Sequence, residues 1–190
     1  YSTDGKTWSD ATTSIFATLG NTVMWDGRQW VAGGTDGTNN IYHSPDGDTW
    51  TAATSDPFTS RVLGIDWNGE LWVACGNGTY GLAYSTDGDT WTGIEEYKAS
   101  VVRYVLWNGS YWLANLSGTD GQIYSRSGKR WTTVPTQFTL NNFKSEYGSK
   151  GQHSITFPSG RMVVGGLNGG NAAIRYSDDL GTTWVLSTIP

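Results

Sequence analysis

Side chains able to do chemistry are few and dispersed in this chain of 190 residues. Cys75 is the lone cysteine, so no intramolecular disulfide and no thiolate metal site is expected. His43 and His153 are the only histidines and share no position in the pattern described below, which argues against a metal or acid–base role. No Ser–His–Asp set, phosphate loop or metal cluster stands out, and no cofactor is implied. The 17 acidic residues leave many carboxylate pairings open. What the chain has in abundance is tryptophan, eleven copies, a side chain that either fills cores or stacks on sugar rings.

The tryptophans fall on two recurring motifs, and these define the elements that must position everything else. The first reads Tyr1-Ser-Thr-Asp-Gly-Lys-Thr-Trp8 and returns at Tyr42–Trp50, Tyr84–Trp91, Tyr124–Trp131 and Tyr176–Trp184. The second reads Trp25-Asp-Gly-Arg-Gln-Trp30 and returns at Trp67–Trp72, Trp107–Trp112 and, without Trp, at Phe157–Met162. The period is 40 to 42 residues until the last step, which is 53. A fixed period in this range signals a solenoid, propeller or array.

Both motifs read as hairpins. Asp4-Gly5 and Asp87-Gly88 are preferred two-residue turns, with Ser127-Gly128 a weaker version. Such turns place Tyr1 opposite Trp8, Tyr84 opposite Trp91 and Tyr124 opposite Trp131. The copies at Tyr42 and Tyr176 are one residue longer, and a three-residue loop keeps their Tyr–Trp pairs in register. Opposed aromatic pairs contribute up to about 1 kcal/mol each. In the second motif, turns at Asp26-Gly27, Asn68-Gly69, Asn108-Gly109 and Ser159-Gly160 put Val23, Trp25 and Trp30 on one sheet face. Strands such as Leu71–Ala74 and Met162–Gly165 are apolar on both faces, as in a sheet sandwiched between two others. Each unit is then four strands, A and B around the second motif, C and D around the first. Such units form the blades of a β-propeller.

The fold expected is all-β, with blades at about 22–52, 63–93, 102–133 and 152–186 and a half-blade at 1–8, about five in one domain. No helical period persists for three turns; Ile94–Ala99 comes nearest. A ring is normally closed by strands from both termini, so the missing half of the first blade is expected upstream, downstream or in another copy of the chain. The chain starts with Tyr at a repeat position, which suggests a longer precursor.

The run Ser177-Asp-Asp-Leu-Gly-Thr-Thr-Trp184 resembles the Asp-box, or bacterial neuraminidase repeat, Ser-x-Asp-x-Gly-x-Thr-Trp. The copies at Ser2, Ser44 and Ser85 are similar with altered turns, while that at Ser125 has Ser127 and Arg130 in the Asp and Thr places. With the Trp-Asn-Gly hairpin, the unit also resembles repeats of phage tail-fibre and bacterial surface proteins. Asp-boxes occur with many activities, so the resemblance speaks to fold more than function. Ser2, Asp4, Trp8, Ser44, Asp46, Trp50, Ser85, Asp87, Trp91, Ser125, Trp131, Ser177, Asp179 and Trp184 are read as structural, because Ser and Asp tie down turns through backbone N–H groups.

Sialidases, as the resemblance implies, use three arginines, a Tyr–Glu pair and an Asp at the face opposite the Asp-boxes. Here Arg28, Arg126, Arg130 and Arg161 lie in turns on the Asp-box face, and Arg175 lies inside a strand. Only Arg61 and Arg103 sit at the other mouth, and the Arg-Ile-Pro signature is missing. Sialidase activity is not expected.

A working surface should lie where the repeats differ. The position four before the motif aromatic reads Asn21, Leu63, Arg103 and His153. The long connection from Pro135 to Gly151 carries Phe138, Phe143, Lys144 and Tyr147 beside polar groups, as recognition loops do. Arg61, Arg103, His153, Phe138, Phe143, Lys144 and Tyr147 are the candidate ligand-binding set, and loss of Lys144 and Tyr147 should weaken binding with little loss of stability. Net charge is −5 with no basic cluster, against nucleic acid. No apolar run is long enough to span a membrane as a helix. Asn77, Asn108 and Asn115 head glycosylation sequons but suit turns and loops. The expectation is a non-enzymatic recognition or structural module on a virion fibre or cell surface, hence extracellular. Its partners would be a glycan or protein of the host surface, other copies, or a larger fibre. The competing class is a glycan hydrolase.

Overall fold

The computed structural model describes residues 1–13, 15–117, 122–133, 154–156, 162–168, 171–178, 183 and 185–187. These residues hold four sheets, each of four strands in chain order. Sheet I contains β1 (Leu19–Trp25), β2 (Trp30–Thr35), β3 (Ile41–Ser44) and β4 (Thr51–Ala52). Sheet II contains β5 (Arg61–Trp67), β6 (Trp72–Asn77), β7 (Leu82–Ser85) and β8 (Thr92–Gly93). Sheet III contains β9 (Val102–Trp107), β10 (Trp112–Leu116), β11 (Gln122–Ser125) and β12 (Thr132–Thr133). Sheet IV contains β13 (Ser154–Thr156), β14 (Met162–Asn168), β15 (Asn171–Ser177) and β16 (Val185–Leu186). One turn of 3-10 helix, Glu95–Tyr97, lies in the stretch that came nearest to a helical pattern. The chain divides into two compact units, 1–105 and 106–190, with the boundary inside β9.

The A–B hairpins turn one position later than their Asp-Gly and Asn-Gly pairs suggest. Trp25 stands opposite Trp30 and Trp67 opposite Trp72. The side chain causes this shift. Asp26 Oδ1 accepts the N–H groups of Arg28 and Gln29, both at 2.7 Å, while the Asp26 N–H donates to the Gln29 carbonyl. Asn68 and Asn108 do the same in sheets II and III. Centring the loop on Gly27 and Arg28 moves the register by two residues, so Val23, Trp25 and Trp30 still share a face. The aromatic pair at this turn is therefore Trp–Trp, with ring centroids 5.0 Å apart in sheet I and 4.9 Å in sheet II.

The C–D hairpins correct the expected pairing more sharply. Tyr84 pairs with Thr92, Tyr124 with Thr132 and Tyr176 with Val185, each one residue past the Trp. The N-terminal copy agrees, because the amide of Ser9 donates to the carbonyl of Tyr1. A tight two-residue turn of the expected type needs positive φ at both central positions. Only the glycines have it here, from +70° to +78° at Gly5, Gly47, Gly88 and Gly128. In sheet I the extra residue precedes Ser44 and does not lengthen the turn: His43 pairs with Thr51 and takes the place of Tyr84, while Tyr42 pairs with Ala52. In the last copy the extra residue falls after Ser177, mostly outside the described residues.

Within the first unit, sheets I and II meet through one core. Val31, Ile41 and Ala53 from sheet I and its exit pack with Phe58, Val62, Ile65, Trp72, Ala74, Ala83 and Trp91, and Met24 and Trp67 border them. The approach is close: a Cβ on Gly33 would stand 2.4 Å from the Val62 side chain. Cys75 is wholly buried, and burial pushes its thiol far up, which leaves it protonated and inert. A polar latch joins the outer strands. Asp89 accepts both the amide and the hydroxyl of Thr54, at 2.7 and 3.0 Å, and Ser55 bonds the backbone of Asp89 and Trp91. Asp48 takes Thr12 in the same way, at 2.6 and 3.0 Å, tying the N-terminal hairpin to sheet I. In the second unit, Tyr111 and Leu113 pack with Trp107 and Tyr124.

Candidate functional site

The rim formed by the A–B and C–D turns spends its polar atoms on itself. Ser85 Oγ accepts the Gly88 amide at 2.9 Å and donates to Asp87 Oδ1 at 2.8 Å. Asp87 Oδ1 then accepts the amides of Asp89 and Thr90 at 2.9 and 2.7 Å. Trp91 closes the loop by donating Nε1–H to the Gly88 carbonyl at 3.0 Å. Ser44, Asp46 and Trp50 repeat every one of these bonds, and Ser2 and Asp4 repeat the Ser–Asp part. The Thr7 and Lys6 amides hold the Asp4 carboxyl down at about 2. The Thr49 and Asp48 amides likewise lower Asp46. Partial burial works to raise Asp87, but the Thr90 and Asp89 amides outweigh it and its carboxyl also stays low. At the fourth copy Ser127 replaces the carboxylate and reaches the Lys129 and Arg130 amides only at 3.2 Å, while Ser125 still accepts Gly128 and Trp131 still bonds its carbonyl. Ser177 is buried; Asp179 and Trp184 lie outside the described residues. Arg28 sits in this rim, as does His43, whose Nε2 lies 3.4 Å from Asp89 Oδ1.

Of the expected ligand-binding set, Arg61 and Arg103 are described, at the starts of β5 and β9. Phe138, Phe143, Lys144, Tyr147 and His153 lie outside the described residues. Two features around Arg61 were not apparent from its sequence neighbours. First, Arg61 pairs across the sheet with Asn77, and Arg61 Nε and Asn77 Oδ1 are both buried without a hydrogen-bond partner. A buried donor or acceptor left unmatched costs about 1–3 kcal/mol. Second, the strands are bulged beside this point, at Gly20/Thr22 and at Val62/Gly64. The bulged residues, Asn21 and Leu63, are the ones at the variable sequence position. Bulges re-aim side chains at sheet ends, and Asn21 Nδ2 donates to the Val62 carbonyl at 2.7 Å.

The neighbouring loops of the first unit differ in chemistry from one repeat to the next. Between β2 and β3, Asp36 Oδ1 accepts the Thr38 and Asn39 amides and its other oxygen accepts the Tyr42 hydroxyl. Asp56, before β5, accepts the Asn40 amide and side chain and the Phe58 amide. Burial works to raise both carboxyls. At Asp36 the Tyr42 hydroxyl and the Asn39 amide win and hold it low, whereas at Asp56 burial wins and the group is pushed up. In the corresponding loops of sheet II, Thr79 meets the hydroxyl of Thr59, which precedes β5, at 3.1 Å, and Tyr80 bonds Glu95 at 2.6 Å with Lys98 beside it. The Asp36-Gly37 pair was the one sequence signal for the Asp36 loop; Asp56 and Asn77 carried none, since their partners are distant in sequence. Among the described residues, no group of three or more His, Cys, Asp or Glu is placed to hold a metal ion. No described helix is long and apolar enough to cross a membrane.

No family model and no curated protein matches the chain. Among solved structures, it is similar to a GH74 xyloglucanase from Xanthomonas campestris, a propeller-containing protein, with a TM-score of 0.55 at 12% identity over 85% of this chain. The fold is of the β-propeller class. The chain spans only 28% of that xyloglucanase, and a likeness at this identity speaks to fold alone. It is also similar to the HIRA fragment 644–1017, with a TM-score of 0.43 at 14% identity, covering 92% of this chain and 57% of the fragment. In this propeller-class chain the sheets are the blades, and their four antiparallel strands run in chain order.

Proposed function

We propose that this chain is a non-enzymatic recognition or structural module of a virion-fibre or cell-surface protein, with Asp-box-type repeats as scaffold and a glycan as ligand. The observation that carries the reading is the Arg61–Asn77 pair. One donor and one acceptor, on residues paired across β5 and β6, are left unmatched at the rim where the repeats differ. A sugar hydroxyl both donates and accepts, the two capacities these atoms leave unused. Guanidinium and amide groups around a ring hydroxyl also supply direction, which a purely apolar contact lacks. The turn rim is a poor alternative, because its hydroxyls and carboxylates are already bonded to its own amides.

The test is a glycan array followed by binding isotherms on the best sugar. Arg61→Ala and Asn77→Ala each lower affinity at least tenfold while the melting temperature moves little. The rival reading, a glycan hydrolase, draws on Asp36 and Asp56, two carboxyls displaced in opposite directions. Their oxygens, however, already serve the loop amides, the Asn40 side chain and the Tyr42 hydroxyl. A fluorogenic glycosidase panel separates the two. Turnover abolished by Asp56→Asn overturns the binding-module reading, and silence on both assays leaves an architectural subunit.

A further inference from the structure

Part of one sheet face in the first unit is left open although its counterpart one repeat later is covered. In sheet II the face carrying Ile65, Trp67, Trp72 and Ala74 is packed by Met24 and Val31 of sheet I, and Ile65 is only 6% exposed. The equivalent residues of sheet I are Val23, Trp25, Trp30 and Ala32, matched by register, since Val23 pairs with Ala32 as Ile65 pairs with Ala74. Here Val23 is 55% and Trp25 40% exposed. The N-terminal segment covers the outer strands: Phe16 sets its ring against Tyr42 at 5.1 Å, and Thr12 and Thr13 hold Asp48 and Trp50. On β1 the Phe16 ring reaches Gly20, while Val23 and Trp25 stay open.

A second observation says what shape is missing. Ser44, Ser85 and Ser125 are each almost fully buried, and each stands opposite the first tryptophan of its own strand B, Trp30, Trp72 and Trp112. Ser2 begins the same turn with the same bonds but is partly exposed, with no strand B beside it among the described strands. The open apolar face and the open strand edge thus meet, where an A–B hairpin lies in every described sheet. We propose that the face of Val23 and Trp25, with the edge at Tyr1–Ser2, docks one antiparallel hairpin of this same repeat. That hairpin comes from outside residues 1–190, because the four copies of the second motif in the sequence each belong to a sheet already formed. The hairpin presents an aliphatic pair in the manner of Met24 and Val31 to Val23 and Trp25. It also sets a tryptophan opposite Ser2. Binding is by strand addition, with backbone hydrogen bonds at the edge and side-chain burial on the face.

The probe is a cyclised, dye-labelled peptide of residues 19–35, cyclised because a lone two-stranded hairpin is marginal in water. Fluorescence anisotropy against the 190-residue protein should show saturable binding. Val23→Glu in the protein weakens it at least tenfold, and Met24→Glu in the peptide does the same without touching the protein's own fold. Val185→Glu, at another exposed valine, leaves it unchanged. No saturable binding, or binding indifferent to both changes, overturns the proposal. So does a dimer in sedimentation that Val23→Glu abolishes and the peptide fails to displace, which assigns the face to a second copy. Competition by a soluble glycan likewise overturns it and makes the face a sugar site.

Discussion

Trp8 and Trp91 occupy the same place in the same motif, yet one is 73% exposed and the other 3%. Their turns are built alike, with Ser2 and Asp4 bonding the backbone as Ser85 and Asp87 do. Val23 and Ile65 repeat the contrast on strand A, at 55% and 6%. The local hairpin is therefore complete without the neighbouring sheet, while burial of its aromatic depends on that neighbour. Turn chemistry and core packing are separable here, and variants can address each one.

The largest effect should come from Trp91→Ala, which removes a large aromatic between sheets I and II and should destabilise the protein by about 3–5 kcal/mol. Trp8→Ala should stay within about 0.5 kcal/mol, as an exposed position does. Denaturant melts of both read the contrast directly, and equal losses would show that the two sites are packed alike. Next is the latch. Asp89→Ala takes the acceptor from both the amide and the hydroxyl of Thr54 and should cost about 1–2 kcal/mol. Asp48→Ala breaks the matching bonds to Thr12. It should leave the global midpoint nearly unchanged and speed amide exchange only in the N-terminal hairpin, because that segment alone is released.

Acid gives a more graded effect. Asp4, Asp46 and Asp87 are all held below the ordinary carboxylate range in the folded protein by the amides of their turns. Folded carboxyls that bind protons less readily than unfolded ones stabilise the protein above the unfolded value, near pH 4. That contribution is lost as pH falls through the folded values, about 2 for Asp4. Asp56, pushed up by burial, acts in the opposite sense over its own range. Unfolding free energy followed from pH 7 to pH 2 should decline at the acid end, and replacing the three turn aspartates by Asn should flatten the decline. Smallest is the repair of the weak turn. Ser127→Asp restores the carboxylate that the other copies use and should raise stability by less than about 1 kcal/mol, the difference between neutral and charge-assisted bonds at an exposed turn. No gain in the melt would mean that the 3.2 Å contacts of Ser127 already suffice.

The repeat, the four-strand unit and the packing of sheet I on sheet II were legible in the chain, because period, turn residues and strands apolar on both faces are properties of neighbours in sequence. Register was legible only to parity. Asp26, Asn68 and Asp87 look like the corner residues of tight turns, but their side chains accept the amides two and three residues on, and this moves the closing pair outward. His43 shows the same limit: motif spacing aligns Tyr42 with Tyr84, whereas pairing with Val31 and Thr51 gives that place to His43. On the variable rim, Asn21 and Arg61 stood out by position, and the bulge beside Asn21 supplies a reason. The partners that give these residues meaning could not be found by pattern, since Asn21 bonds Val62 and Arg61 faces Asn77.

The sequence by itself determined that this is a repeating, tryptophan-pinned, all-β chain whose turns are closed by their own Ser, Asp and Asn side chains. Those interactions reach two or three residues, so each copy carries them whole. Only the tertiary structure decided which tryptophans are core and which are surface, and where a donor and acceptor meet unmatched. It also decided that Val23 and Trp25 on one sheet face have no cover. Each of those depends on atoms brought together from about one repeat away or on a separate strand, and solvent exclusion, unlike a turn, is a property of the assembled neighbours.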